Sequence, residues 1–175
     1  MAWSVLKQIS RVGIASEPSP DIGQENASEP SRIQAELLSI LGQALTIRQV
    51  DAGSCNGCEL EINALGNPYY NLEGLGIKFV ASPRHADLLL VTGPVSRNME
   101  MALKRTCAAT PEPKLVVAVG ECACEGGVFG ESDASCGRVS NVIPVDGDVP
   151  GCPPTPLALM QGILTAIGCG RRGAA

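Results

Sequence analysis

Aromatic residues are almost missing from this chain: Trp3, Tyr69, Tyr70, Phe79 and Phe129 are the five among 175 residues. A core must then be built from Val, Ile, Leu and Ala, and the chain has few rings on which bases could stack. Basic charge is short as well. Thirteen Lys and Arg against eighteen Asp and Glu leave a net charge of −5, which is the wrong sign for a phosphate backbone, so nucleic acid is not an expected partner. Histidine occurs once, as His85, and supports no catalytic triad. No apolar run approaches the ~20 residues of a membrane span; runs such as Leu88 to Val91 have the length of a strand. Met1 to Ile14 mixes Lys7 and Arg11 among its apolar residues and shows neither the apolar stretch of a secretory leader nor a twin arginine.

Cysteine, by contrast, is abundant, with eight in the chain, and so is glycine, with twenty. A disulfide scaffold is usually shorter and carries a leader. The expectation is therefore a cytosolic protein with reduced thiols, used for metal or redox chemistry.

The length suits one domain of roughly 100 to 200 residues plus a tail. Residues 1–31 comprise a short amphipathic piece (Trp3, Val5, Leu6, Ile9, Val12) and a linker, Glu17 to Ser31, rich in Pro, Ser, Glu and Asn. The domain is expected over residues 32–170, with 171–175 as a tail. Ile33 to Leu45 has apolar residues at helical spacing behind Ser31 as a possible N-cap.

Beyond Leu45, short β-rich runs alternate with helical ones, which predicts an α/β fold with a parallel sheet. Expected strands are Thr46 to Val50, Ile77 to Val80, Leu88 to Val91, Leu115 to Val119 and Val142 to Val145. Expected helices are Gly57 to Leu65, Val95 to Cys107 and Thr155 to Ile167. Gly120 to Asn141, with Gly126, Gly127, Gly130 and Gly137, has no clear period and reads as a long functional loop.

Four cysteines stand where expected strands end. Cys55 and Cys58 follow the first, Cys122 the fourth and Cys152 the fifth. In open α/β sheets, ligands bind outside the carboxyl ends of the strands, near a topological switch point. Gly93-Pro94, after the third strand, occupies the same kind of position. Neighbouring parallel strands would bring the four thiols to one edge, as a cubane iron–sulfur cluster requires. Cys55-Asn56-Gly57-Cys58 alone is a weak signal, shared by structural zinc and by redox pairs. Zinc sites of four thiolates normally pair two such knuckles, whereas Cys122 and Cys152 are singletons. A zinc-stabilised assembly module is the bland alternative.

The segments SCNGCELEI (54–62), SPRHADLLLVTGPVSRNM (82–99), PEPKLVVAVGEC (111–122) and VIPVDGDVPGCPPTP (142–156) resemble the family that contains the complex I 20 kDa subunit. Within it they are most similar to the small subunits of energy-converting group 4 nickel-iron hydrogenases, the formate hydrogenlyase type included. The resemblance covers about residues 46–168. It implies a flavodoxin-like sheet with flanking helices and one 4Fe-4S cluster at the carboxyl edge of the strands, ligated by Cys55, Cys58, Cys122 and Cys152. It also implies an electron relay to or from a large subunit of nickel-iron hydrogenase or complex I 49 kDa type, with a ferredoxin-like iron–sulfur subunit and integral membrane subunits as further partners. The place implied is the cytoplasmic face of the cell membrane, reached through those partners. The alternative branch is an NADH-quinone oxidoreductase B-type subunit that reduces quinone. Those subunits typically carry two adjacent cysteines at the first site, whereas Asn56-Gly57 separates Cys55 from Cys58 here, as in hydrogenase small subunits.

Cys124 and Cys136 compete with Cys122 for the third position, and the resemblance favours Cys122, because Gly120-x-Cys122 directly after a strand is the family's arrangement. Cys107 and Cys169 read as buried apolar residues, and a second cluster built from Cys107, Cys124, Cys136 and Cys169 is not expected. The resemblance makes Glu61 a candidate for proton transfer near the cluster or at the partner interface, against the plainer reading of a solvated helix carboxylate. Arg84 is a candidate for offsetting cluster charge or for joining the large subunit, against a surface ion pair on a turn; His85 and Asp87 read as structural.

Overall fold

The structure is a computed structural model that describes residues 44–172. The piece 1–31 and most of the Ile33 to Leu45 helix lie outside these residues, and Leu45 itself opens the first strand. Five strands are present: β1 Leu45–Asp51, β2 Ile77–Phe79, β3 Leu88–Thr92, β4 Leu115–Val119 and β5 Gly147–Val149. All pair in parallel, in the order β2-β1-β3-β4-β5. This is the doubly wound order of flavodoxin-like proteins, with its switch point between β1 and β3.

Among the described residues, four helices flank the sheet: α1 Gly57–Ala64, α2 Arg97–Ala109, α3 Glu121–Glu125 and α4 Pro156–Arg172. Alternation along β3 shows how the layers form, because successive side chains point to opposite faces. Leu88 and Leu90 join Ile62 of α1 and Leu159, Ile163 and Ile167 of α4 in one core. Leu89 and Val91 join Leu103 and Cys107 of α2 and Ala123 of α3 in the other. Every residue of β3 is buried, as expected for a central parallel strand covered on both faces.

Two sequence expectations need correction. Val142 to Val145 is not a strand. Ile143 is buried in the core on the α2 side, and Val142 and Val145 pack against it, so the β-branched run covers a sheet face as loop. The strand begins after it, where Asp146 Oδ2 accepts from Val116 N at 2.8 Å and Asp146 N donates to Val116 O at 2.8 Å. Gly147 belongs to β5 because α4 crosses closely there: a Cβ at that glycine would stand 3.1 Å from Ala166 Cβ.

The segment Gly120 to Asn141 is also less irregular than expected. It opens with α3, framed by Gly120 at φ 87 and Gly126 at φ 93, and contains a 3₁₀ turn at Val139–Asn141. Five helical residues are too few for a period to emerge from the sequence.

Candidate functional site

The site is built from four loops at the carboxyl ends of β1, β3, β4 and β5. After β1, Asp51 Oδ1 accepts from the amides of Gly53 and Ser54, both at 2.8 Å, and Ser54 Oγ accepts from Asn56 N at 3.2 Å. These bonds bend the chain toward α1 through Asn56, which stands in the left-handed region at φ 72, a conformation Asn tolerates. The loop after β3 lies directly against it. A Cβ on Gly93 would fall 2.5 Å from Ser54 N and 2.6 Å from Ser54 Cα, so only glycine allows the two backbones this approach.

Cys55, Cys58, Cys122 and Cys152 all line one cavity of about 180 Å³, together with Gly57, Gly93, Pro94, Gly120, Phe129, Gly151 and Pro153 among others. Glycines clear space beside the sulfurs. A Cβ on Gly120 would lie 2.6 Å from Cys58 Sγ, and one on Gly127 would lie 2.6 Å from Cys122 Sγ. Cys55 and Cys152 are exposed, and Cys58 and Cys122 are half-buried.

Electrostatics links the four groups. Burial pushes the Cys58 thiol up to about 11, helped by the negative charge of Glu59, Cys55, Cys122 and Cys152. Cys122 is raised by burial first and then by Cys152, Cys55 and Glu121. With Cys58 and Cys122 both held back from ionising by burial and by neighbouring negative charge, a cation or cationic cluster is needed before these thiols act as thiolates. Among the described residues, no group of three or more His, Cys, Asp or Glu is gathered as for a single metal ion; the thiols instead stand around the wall of a shared cavity.

The competing cysteines lie elsewhere. Cys124 faces the core on the α2 side, its Sγ 3.6 Å from Ala118 O, and burial, then Asp148, pushes it up to about 12. Cys136 is buried in that core too, with Sγ 3.5 Å from Glu100 Oε2; burial raises its pKa, followed by the hydrogen bond to Glu100. Cys107 is buried on α2. Cys169 has no described side chain.

Glu61 is half-buried on α1 and is not among the cavity-lining residues. Arg84 is exposed on the 3₁₀ turn Pro83–His85 that precedes β3. That turn is at the amino end of β3, the opposite end from the cavity, so the structure does not bring Arg84 to the thiols. Asp87 and His85 are structural there: Asp87 Oδ2 accepts from Thr46 N at 2.9 Å and from Thr46 Oγ1 at 2.6 Å, while His85 O lies 2.6 Å from the same hydroxyl.

Sequence reasoning missed Glu59, Glu121 and Phe129 as individual residues. Glu59 had a signal, since it shares a helical face with Ile62 and Leu65 by threes. Phe129 had none, because its place over the cavity depends on how the glycine-rich loop returns.

A doubly wound α/β domain with four thiols around a cavity at the switch-point end of its sheet is the class that fold and site define. Residues 55–166 match the family described as NADH ubiquinone oxidoreductase, 20 Kd subunit. The chain is 44% identical over 145 residues to the probable membrane-bound hydrogenase subunit mbhJ of Pyrococcus furiosus, covering 81% of this chain and 87% of that one. It is 42% identical over 136 residues to formate hydrogenlyase subunit 7 of Escherichia coli, covering 78% of this chain and 53% of that one. Among solved structures it is similar to a chain of the membrane-bound sulfane sulfur reductase, an archaeal respiratory membrane complex, with TM-score 0.65, 32% identity and coverage of 83% and 77%. The protein belongs to the NADH ubiquinone oxidoreductase 20 kDa subunit family, a family of oxidoreductase subunits.

Proposed function

We propose that this chain is the electron-transfer subunit of a membrane-associated hydrogenase-like oxidoreductase, holding one 4Fe-4S cluster on Cys55, Cys58, Cys122 and Cys152. The observation that carries the reading is the shared cavity: these four thiols line it, and Cys124, Cys136 and Cys107 are absent from its lining. When bound, such a cluster takes up and releases single electrons at iron, with a potential set by burial, charge and hydrogen bonds to sulfur.

The residues supply direction and insulation. Cys58 and Cys122 hold the inner side of the cavity, while the exposed Cys55 and Cys152 stand at its mouth. Phe129 lines the cavity and is 69% exposed, its neighbour Val128 is 99% exposed, and Leu60 is exposed on α1 two residues beyond Cys58. Apolar side chains this exposed beside a redox cavity favour a partner surface over bare solvent. The partner proposed is a large subunit of nickel-iron type, with a ferredoxin-like subunit and integral membrane subunits completing the complex on the inner face of the membrane. No helix among the described residues is long and apolar enough to cross a membrane, so attachment falls to those partners.

The family's own description favours a second reading, in which the partner is a complex I 49 kDa-like subunit and the cluster reduces quinone. The spacing of Cys55 and Cys58 favours the hydrogenase branch. Metal analysis of the complex isolated without oxygen separates the readings. Iron together with nickel supports the first; iron without nickel, with quinone-dependent activity, supports the second. Stoichiometric zinc without iron would sink both in favour of an assembly module. Separate Cys122→Ala and Cys124→Ala variants test the third ligand. Loss of the cluster's EPR signal is expected in the first alone, and the reverse pattern reassigns the ligand.

A further inference from the structure

The first turn of α1 carries Cys58, yet it lacks the usual anchor. Its N-cap, Asn56, makes no side-chain hydrogen bond to the turn, although capping is how an exposed helix start is normally held. Glu59 follows Cys58 and is 7% exposed, whereas its apolar neighbour Leu60 is 61% exposed. A helix packed on hydrophobicity alone would reverse the two.

The buried carboxyl group has one partner. Thr92, fully buried at the end of β3, donates its hydroxyl to Glu59 Oε1. Thr92 is itself fixed at the switch point. Its carbonyl accepts from Ala52 N at 3.0 Å, its hydroxyl lies 3.4 Å from Val50 O, and Gly93 follows it into the tight contact with Ser54. Among the described residues, Glu59 Oε2 is buried with no partner. A fold seeking stability alone would not keep a half-satisfied carboxyl group in this place.

We infer that Glu59 and Thr92 form a positioning pair, whose hydrogen bond sets the rotation and height of the first turn of α1 and so aims the Cys58 thiol into the cavity. Neither residue lines the cavity, and both act through Cys58. One turn further on, Ile62 anchors the same face in the core, so the pair and Ile62 together fix both ends of this short helix. The consequence for a cluster rests on the ligand reading above; the brace itself does not.

The test uses the intact complex and two readouts, amide hydrogen exchange over Cys58 to Ile62 and the EPR spectrum of the reduced protein. Thr92→Val keeps shape and removes the hydroxyl; Thr92→Ser restores it. Glu59→Leu removes the acceptor; Glu59→Gln keeps an oxygen that can accept. Thr92→Val and Glu59→Leu are expected to speed exchange about tenfold, the scale of one lost hydrogen bond, and to broaden the EPR signal, with Ser and Gln returning both toward wild type. Unchanged exchange in Thr92→Val overturns the pair. So does Glu59→Gln matching Glu59→Leu while Thr92→Val stays silent, because the charge rather than the bond would then matter. If Glu59→Leu fails to assemble, the Thr92 variants decide alone. A wild-type complex without iron sinks the ligand reading, and the exchange comparison still settles the brace.

Discussion

Glycine at 120 and 127 sets how closely the cavity wall approaches the sulfurs. A methyl group on Gly120 would stand 2.6 Å from Cys58 Sγ, on a backbone at φ 87 that L side chains rarely adopt. Gly120→Ala is therefore expected to lower iron per chain severalfold and to weaken the EPR signal. Gly130→Ala is the control: it also has positive φ, at 53, but a Cβ there meets nothing within 4 Å. It should keep its iron and lose only the ~1 kcal/mol or so of left-handed strain, read from thermal unfolding. The thiols themselves give a second residue-scale prediction. With Cys58 raised to about 11 by burial and its neighbours, alkylation of the metal-free chain near pH 8 should modify Cys58 more slowly than the exposed Cys152. The sign for stability follows: a thiol whose pKa is raised on folding supports the metal-free fold fully below its ordinary value of 9.0. That contribution is lost as pH climbs from there through about 11. Metal-free chain should thus melt at lower temperature at pH 10 than at pH 8, and Cys58→Ser should flatten the difference.

At the scale of elements, α4 and β5 meet through a glycine. A Cβ on Gly162 would fall 2.2 Å from Val149 Cγ2, and Val149 ends the strand that leads to Cys152. Gly162→Ala should cost ~1–3 kcal/mol as an overpacked core, despite the helix propensity alanine gains. Pairing it with Val149→Ala should recover part of the loss, measured by denaturant unfolding. The same crossing explains why β5 lies later in the chain than its sequence pattern predicts. Gly147 and Asp148 carry no strand signal, whereas Val142 to Val145 carries a strong one that is spent in the α2-side core. β3 and β4 were legible nearly to the residue because both faces are buried, which leaves continuous apolar runs in the sequence.

For the whole molecule, Leu60, Val128 and Phe129 are exposed apolar residues on the segments that carry or line the thiol cavity. Replacing Leu60 or Val128 with Asp should weaken association with the large subunit by about tenfold or more, the usual effect at an interface anchor, with iron content per chain unchanged. Quantitative co-purification together with iron analysis checks this. Dissociation with loss of iron would place these residues in the cavity wall rather than at a partner surface.

By itself the sequence determined the α/β class, the family resemblance and the candidate thiols, because strand runs, turn glycines and cysteines after strands are local patterns. Only the tertiary structure decided which cysteines share a cavity. Cys122 and Cys124 are two residues apart on α3, and their rotation around its axis sends one thiol to the cavity and the other to Ala118 O. It also decided that Arg84 sits at the far end of β3 and that Glu59, rather than Leu60, is turned inward. Each of these depends on which face a side chain takes once strands 41 residues apart in sequence, such as those carrying Thr46 and Asp87 at their starts, are brought side by side. A linear pattern does not encode that pairing.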